Sequence, residues 1–172
     1  VVEASTSPAL SLQGIMDLYG TVPSADPDGI GYSGTDGKAI HLKVHEDIAD
    51  LSTNSLSVAN NGGGSDGPEF TFESISVSIG DDILVVRDDS AMSIYMGSCY
   101  SEFDHIIHQN TSAINQNGND AIELFENGII IETFGDANVD GTGEDWEYTD
   151  SWAYLVDSTW TYGGLNCTDS TN

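Results

Sequence analysis

Asn127-Gly128 stands between two apolar runs, residues 120–126 (DAIELFE) and 129–134 (IIIETF). A two-residue hairpin turn needs positive φ at both positions, and Asn-Gly meets that need with little strain. The pair therefore specifies two antiparallel strands joined tightly. Residues 38–46 (KAIHLKVHE) carry the same message by alternation. Ile40, Leu42 and Val44 fall on one face, and His41, Lys43 and His45 on the other, the pattern of a half-buried strand with its histidines in solvent.

Further strand segments are expected at residues 10–19, within 48–58, twice within 69–79 with a phase shift or bulge, and at 83–86, 151–156 and 159–162. Turn chemistry fills the joints, notably Asp26-Pro27-Asp28-Gly29, Thr35-Asp36-Gly37 and Gly80-Asp81-Asp82. One helix is expected over residues 88–97, capped by Asp89 or Ser90, with Met92, Tyr95 and Met96 as its apolar stripe. Residues 99–117 read as irregular. About eight or nine short strands with turn-rich joints predict an antiparallel β-sandwich with one short helix. The 172 residues fit one domain, residues 1–172. Residues 1–8 are either a linker or a strand that pairs at an edge, including by exchange into a neighbouring copy's sheet.

Charge narrows the function. There are 29 acidic residues against three basic ones, a formal net charge of −26. Nucleic-acid backbones are bound by Lys and Arg displacing counterions, so this composition excludes them as partners, and anionic membrane surfaces with them. No run of residues approaches the ~18 apolar positions of a membrane-spanning helix. The composition favours divalent cations, in a calcium-rich extracellular medium or a salt-filled cytoplasm. The chain begins Val1-Val2-Glu3, which fits a secreted product after removal of a leader.

Residues 136–147, Asp-Ala-Asn-Val-Asp-Gly-Thr-Gly-Glu-Asp-Trp-Glu, match D-x-[DN]-x-[DN]-G-x5-E in full. Ca²⁺ is a hard cation that takes about six to eight oxygens. The spacing nominates the side chains of Asp136, Asn138 and Asp140, the Thr142 carbonyl, Glu144 directly or through water, and Glu147 with both oxygens. Gly141 stands at the position of the sharp turn. The flanks are not helical, so a helix–loop–helix sensor is not expected.

Cys99 and Cys167 form no CxxC motif. They read as one disulfide in an oxidising compartment, worth about 4 kcal/mol by loop entropy, or as two buried free thiols. Sequons at Asn110 (Asn-Thr-Ser) and Asn166 (Asn-Cys-Thr) are candidate glycosylation sites in a secreted chain. Gly29-Ile30-Gly31-Tyr32-Ser33-Gly34 has the letters of a dinucleotide loop, but neither a feeding strand nor a following helix, and reads as surface loop. His41 with His45, and His105 with His108, are weak metal pairs lacking a third ligand. No nucleophile elbow or phosphate loop is present, and abundant carboxylates make no acid–base pair stand out, so catalysis is not expected.

The combination Lys38-Ala39-Ile40, Asn60-Asn61-Gly62-Gly63-Gly64-Ser65-Asp66-Gly67, Phe70-Thr71-Phe72, Asn119-Asp120-Ala121-Ile122-Glu123-Leu124-Phe125, Phe134-Gly135-Asp136, Asp140-Gly141-Thr142-Gly143, Trp146-Glu147-Tyr148 and Trp152-Ala153-Tyr154 resembles the lamin-tail-like domains of secreted microbial proteins. The similarity spans residues 15–165. It implies an immunoglobulin-like β-sandwich and no catalytic residues. Where the family pattern carries Gly-Asp-Asp before Ala-Ile-Glu-Leu, this chain has Gly118-Asn119-Asp120. Two functions are consistent with these features. One is a calcium-stabilised extracellular structural subunit that self-associates into a filament or surface layer. The other is a calcium-dependent binding module for glycans or another surface ligand, using Trp146, Tyr148, Trp152, Tyr154, Trp160 and Tyr162. Buried aromatics favour the first and exposed ones the second.

Overall fold

The computed structural model describes residues 8–18, 36–109 and 113–168. The Asn110 sequon, the glycine-rich stretch at residues 29–34 and the N-terminal residues 1–7 lie outside these. Ten strands are described: β1 (Leu10–Asp17), β2 (Lys38–Val44), β3 (Asn54–Ala59), β4 (Phe70–Thr71), β5 (Asp82–Val86), β6 (His105–His108), β7 (Ala121–Glu126), β8 (Ile129–Phe134), β9 (Ser151–Val156) and β10 (Thr159–Tyr162). One α-helix, α1 (Asp89–Met96), runs into a 3₁₀ turn, Gly97–Glu102.

The strands form two sheets, six-stranded β10-β9-β1-β2-β5-β6 and four-stranded β4-β3-β7-β8. This is the all-β sandwich expected from the alternation. Leu12, Ile40, Leu42, Ile83 and Val85 from one sheet meet Leu56, Val58, Ile122, Leu124 and Phe134 from the other in a single core. Each buried aliphatic side chain of this kind contributes about 1.5–3 kcal/mol against exposure.

The β7–β8 hairpin turns at Asn127 (φ 50°) and Gly128 (φ 77°), as its sequence requires. The β9–β10 hairpin makes the same kind of turn from Asp157 (φ 48°) and Ser158 (φ 63°), without glycine. β1 carries a bulge between Leu12 and Gly14, which returns Ile15 to the core.

The structure departs from the expectations in four places. Residues 99–117 hold a strand, β6, which pairs parallel with β5, so the sheet is not wholly antiparallel. A parallel neighbour needs a crossover, and α1 with its 3₁₀ turn provides it. The helix cap is Asp88, one residue earlier than expected, with Oδ1 accepting from the Ala91 N–H at 2.8 Å. Within residues 69–79 only β4 and an isolated bridge, Ile48 with Val77, are paired. Finally, the outer face of β2 is covered. Met92, Tyr95 and Met96 of α1 pack with Ala39, Leu84 and Val86, so His41 is 9 % exposed rather than solvated.

Candidate loop site and the outer cavity

The 136–147 loop leaves the end of β8 and is stitched to two other loops. The Gly141 N–H donates to the Asn119 carbonyl at 2.9 Å, the Tyr148 N–H to the Gly118 carbonyl at 2.8 Å, and the Gly64 N–H to the Ala137 carbonyl at 2.8 Å. Asn61 N–H donates to Asp120 Oδ1 at 2.8 Å. Residues 60–64, 117–120 and 136–148 are thus tied together at one end of the sandwich.

Within the loop, carboxylates first serve the chain's own amides. Asp136 Oδ1 accepts from Asn138 N–H at 2.9 Å, and Asp140 Oδ1 from Thr142 N–H at 3.0 Å. Glu147 accepts from Gly143 N–H at 2.7 Å and from Thr149 Oγ1 at 2.8 Å. The Thr142 amide, then the Thr142 hydroxyl and the Asn119 amide, hold Asp140 ionised to lower pH than an ordinary aspartate. Glu144 is exposed. Among the described residues, no group of three or more His, Cys, Asp and Glu is close enough to hold a metal.

Convergence occurs instead across loops, through Asn119. Its Nδ2 faces Asp140 Oδ1 at 3.0 Å, Thr142 Oγ1 at 3.0 Å and Asn61 Oδ1 at 3.4 Å, while its own Oδ1 is buried without a partner. An amide nitrogen has two hydrogens for these three oxygens. The Thr142 N–H and hydroxyl supply further hydrogens to Asp140, so of this group only the Asn119 Oδ1 is left without a partner. The network joins Asp140 and the Thr142 hydroxyl, from two of the six residues nominated by spacing, to Asn61 and Asn119, which lie outside the motif. The sequence signal for the additions is the pair of turn triplets Asn60-Asn61-Gly62 and Gly118-Asn119-Asp120.

The aromatics divide into two groups. Tyr148 is fully buried, and Trp146, Tyr148, Trp160 and Tyr162 gather around Phe134, with ring centroids 4.7–6.4 Å apart. Trp152 and Tyr154 instead line a cavity on the outer face of the six-stranded sheet.

The histidines and cysteines also resolve. His105 and His108 lie on opposite faces of β6, as a spacing of three in a strand requires, and their Nε2 atoms contact Asp81 and the Arg87 carbonyl respectively. His45 is exposed and bonded to Ser11. The expected disulfide is absent. Cys99 is exposed on the 3₁₀ turn, while the Cys167 thiol sits 3.2 Å from the Ser151 hydroxyl at the start of β9. Both thiols are free, and neither is deeply buried. Asn166 is exposed in a turn at φ 56°.

Comparison with protein-family models, with curated proteins and with solved structures returned no match. Among the described residues no helix is long and apolar enough to cross a membrane.

Proposed function

We propose that this chain is a non-catalytic structural module of an extracellular surface, stabilised by calcium at the three-loop end of the sandwich and assembling with copies of itself. The observation that carries the reading is the gathering of Asp140, Thr142 and Asn61 around Asn119, which brings side-chain oxygens of three loops together beside an Asn119 Oδ1 that is buried without a partner. A cation there rigidifies all three at once. The full burial of Tyr148 and the packing of a half-buried Trp146 against Phe134 support a structural role for these aromatics over glycan recognition.

Two further features support assembly. β8 is an edge strand, and Ile129 and Ile130 on it are 69 % and 43 % exposed. An exposed apolar edge is a template for pairing with another chain. A net charge of −26 opposes that pairing unless divalent cations offset it. The resemblance to lamin-tail-like domains of secreted microbial proteins points to the same setting.

The experiment is light scattering and electron microscopy of the chain with Ca²⁺ and with chelator, for the parent and for Ile130→Lys. Calcium-dependent polymers that the variant fails to form are expected. A chain that stays monomeric at millimolar Ca²⁺ overturns the assembly reading.

A further inference from the structure

The cavity on the outer face of the six-stranded sheet has a volume of about 410 Å³, within the ordinary size range of small-molecule sites. Strands β1, β2 and β9 form its floor, and α1 with the segment after it forms a wall. Met16, Met96, Phe103, Trp152 and Tyr154 give it an apolar and aromatic lining. Tyr154 lies directly over Gly14, where a Cβ would come within 2.8 Å of its ring. The bulge in β1 and the missing side chain at position 14 let the ring lie against the sheet.

One buried polar side chain, His41, belongs to this lining. Its ring meets Phe103 edge-on at 5.0 Å and Tyr154 at 5.9 Å. Nε2 lies 2.8 Å from Asp82 Oδ1. A carboxylate only accepts, so Nε2 carries the hydrogen, and in the neutral ring Nδ1 is left as an acceptor. Burial lowers the pKa of His41, against the pull of Asp82, which keeps the ring neutral near pH 7. Nδ1 has no hydrogen-bond partner among the described residues.

Charge settles the rest. Lys38 pairs with Asp17, Lys43 with Asp82, and Arg87 donates to the Ile114 carbonyl. None of these basic residues lines the cavity. An anion finds no partner there.

We propose that this cavity binds a neutral aromatic molecule of one or two rings carrying a single N–H or O–H donor, phenol-like or indole-like, with the donor on His41 Nδ1 and the ring against Tyr154 and Phe103. The site is independent of the calcium loop and of self-association.

The test titrates the whole chain with indole, phenol, toluene and benzoate, following the methyl resonances of Met16 and Met96 and the imidazole of His41. Saturable shifts with indole and phenol are expected, with toluene about tenfold weaker for want of the hydrogen bond, and none with benzoate. His41→Phe removes the preference for indole over toluene. Tyr154→Ala, at a side chain 41 % exposed and so tolerated by the fold, weakens both. Circular dichroism confirms that each variant is folded, and a direct shift of the His41 ring on adding indole to the parent reports the contact without any variant. No saturable shift with millimolar indole overturns the proposal, as does indole binding unchanged in Tyr154→Ala. If a second copy fills the cavity instead, indole binding weakens as protein concentration rises while the mass by light scattering increases, and that result also overturns it.

Discussion

Gly141 packs against the indole of Trp146 so closely that a Cβ on the glycine would be 2.5 Å from Cη2 of the ring and 2.8 Å from the Asn119 carbonyl oxygen. The glycine at loop position six is therefore required by packing, against the ring and the backbone beside it. Gly141→Ala should displace Trp146 and destabilise the fold by about 2–4 kcal/mol, as overpacking against backbone does. The loss should appear in chelator as well as in calcium. Thermal unfolding in both buffers, with tryptophan fluorescence reporting the ring, measures it. A variant as stable as the parent removes the packing argument.

Asp140→Ala should behave differently. Asp140 is exposed, and its oxygens face Thr142 and Asn119. A ligand that binds only the folded state stabilises it by mass action, so the parent should melt about 5 °C higher or more in excess Ca²⁺ than in chelator. Asp140→Ala and Asn119→Ala should each lose most of that increment. Identical melting of the parent in both buffers would remove calcium from the proposal and leave the fold untouched.

Two glycines with similar backbone angles separate space from strain. Gly118 (φ 93°) and Gly128 (φ 77°) both sit in the region that side chains adopt rarely. A Cβ on Gly118 meets Thr149 Cα at 2.1 Å, whereas one on Gly128 meets nothing within 4 Å. Gly128→Ala should cost about 1 kcal/mol, and Gly118→Ala about 3 kcal/mol or more, because backbone must move. Urea denaturation of the pair gives the comparison, and equal midpoints contradict it.

Glu132 offers a pH test with a definite sign. It projects from β8 toward β1, where Oε2 accepts from the Leu12 N–H at 2.7 Å. Burial raises its pKa above 4.5, and the Leu12 hydrogen bond only partly opposes this. The folded state thus holds the proton more tightly than the unfolded chain. The resulting stability is full below pH 4.5 and is lost as pH rises through the raised folded value. Glu132→Gln should flatten that dependence and raise the melting temperature at pH 7.5 by about 1–2 °C, allowing for solvent screening. Melting curves from pH 4 to 8 check it, and a steeper slope in the variant contradicts the sign.

Free thiols make a chemical prediction. Cys99 is exposed, while Cys167 is partly covered and bonded to Ser151. A thiol reagent should modify Cys99 first and Cys167 several times more slowly, with both labelled under native, non-reducing conditions. Intact mass showing two hydrogens fewer than the reduced chain contradicts this.

Legibility in the sequence followed the range of each interaction. The β7–β8 hairpin was readable because positive φ at Asn127 and Gly128 is a local demand. β2 was readable because Ile40, Leu42 and Val44 share one face. The helical stripe of Met92, Tyr95 and Met96 was visible too. The covering of His41 was not, because it depends on a helix some fifty residues later crossing the same sheet. β6 escaped because HIIH is short and its partner is parallel, so no turn announces it. At the loop, spacing singled out Asp140 and Thr142 within one segment, whereas the hydrogen bonds that tie them to Asn119, and Asn119 to Asn61, arise only through tertiary folding. Cysteine count suggested a bridge, and position alone decides that.

The place of β1 in its sheet has a consequence for synthesis. Ile15 lies beside Ile40 on one side and Ala153 on the other. A chain emerging from the ribosome meets the first neighbour early and the second only when β9 has been made. Until then the middle of the finished sheet is an open edge. An open edge of this kind is a template for pairing between copies, and a formal net charge of −26 opposes such pairing.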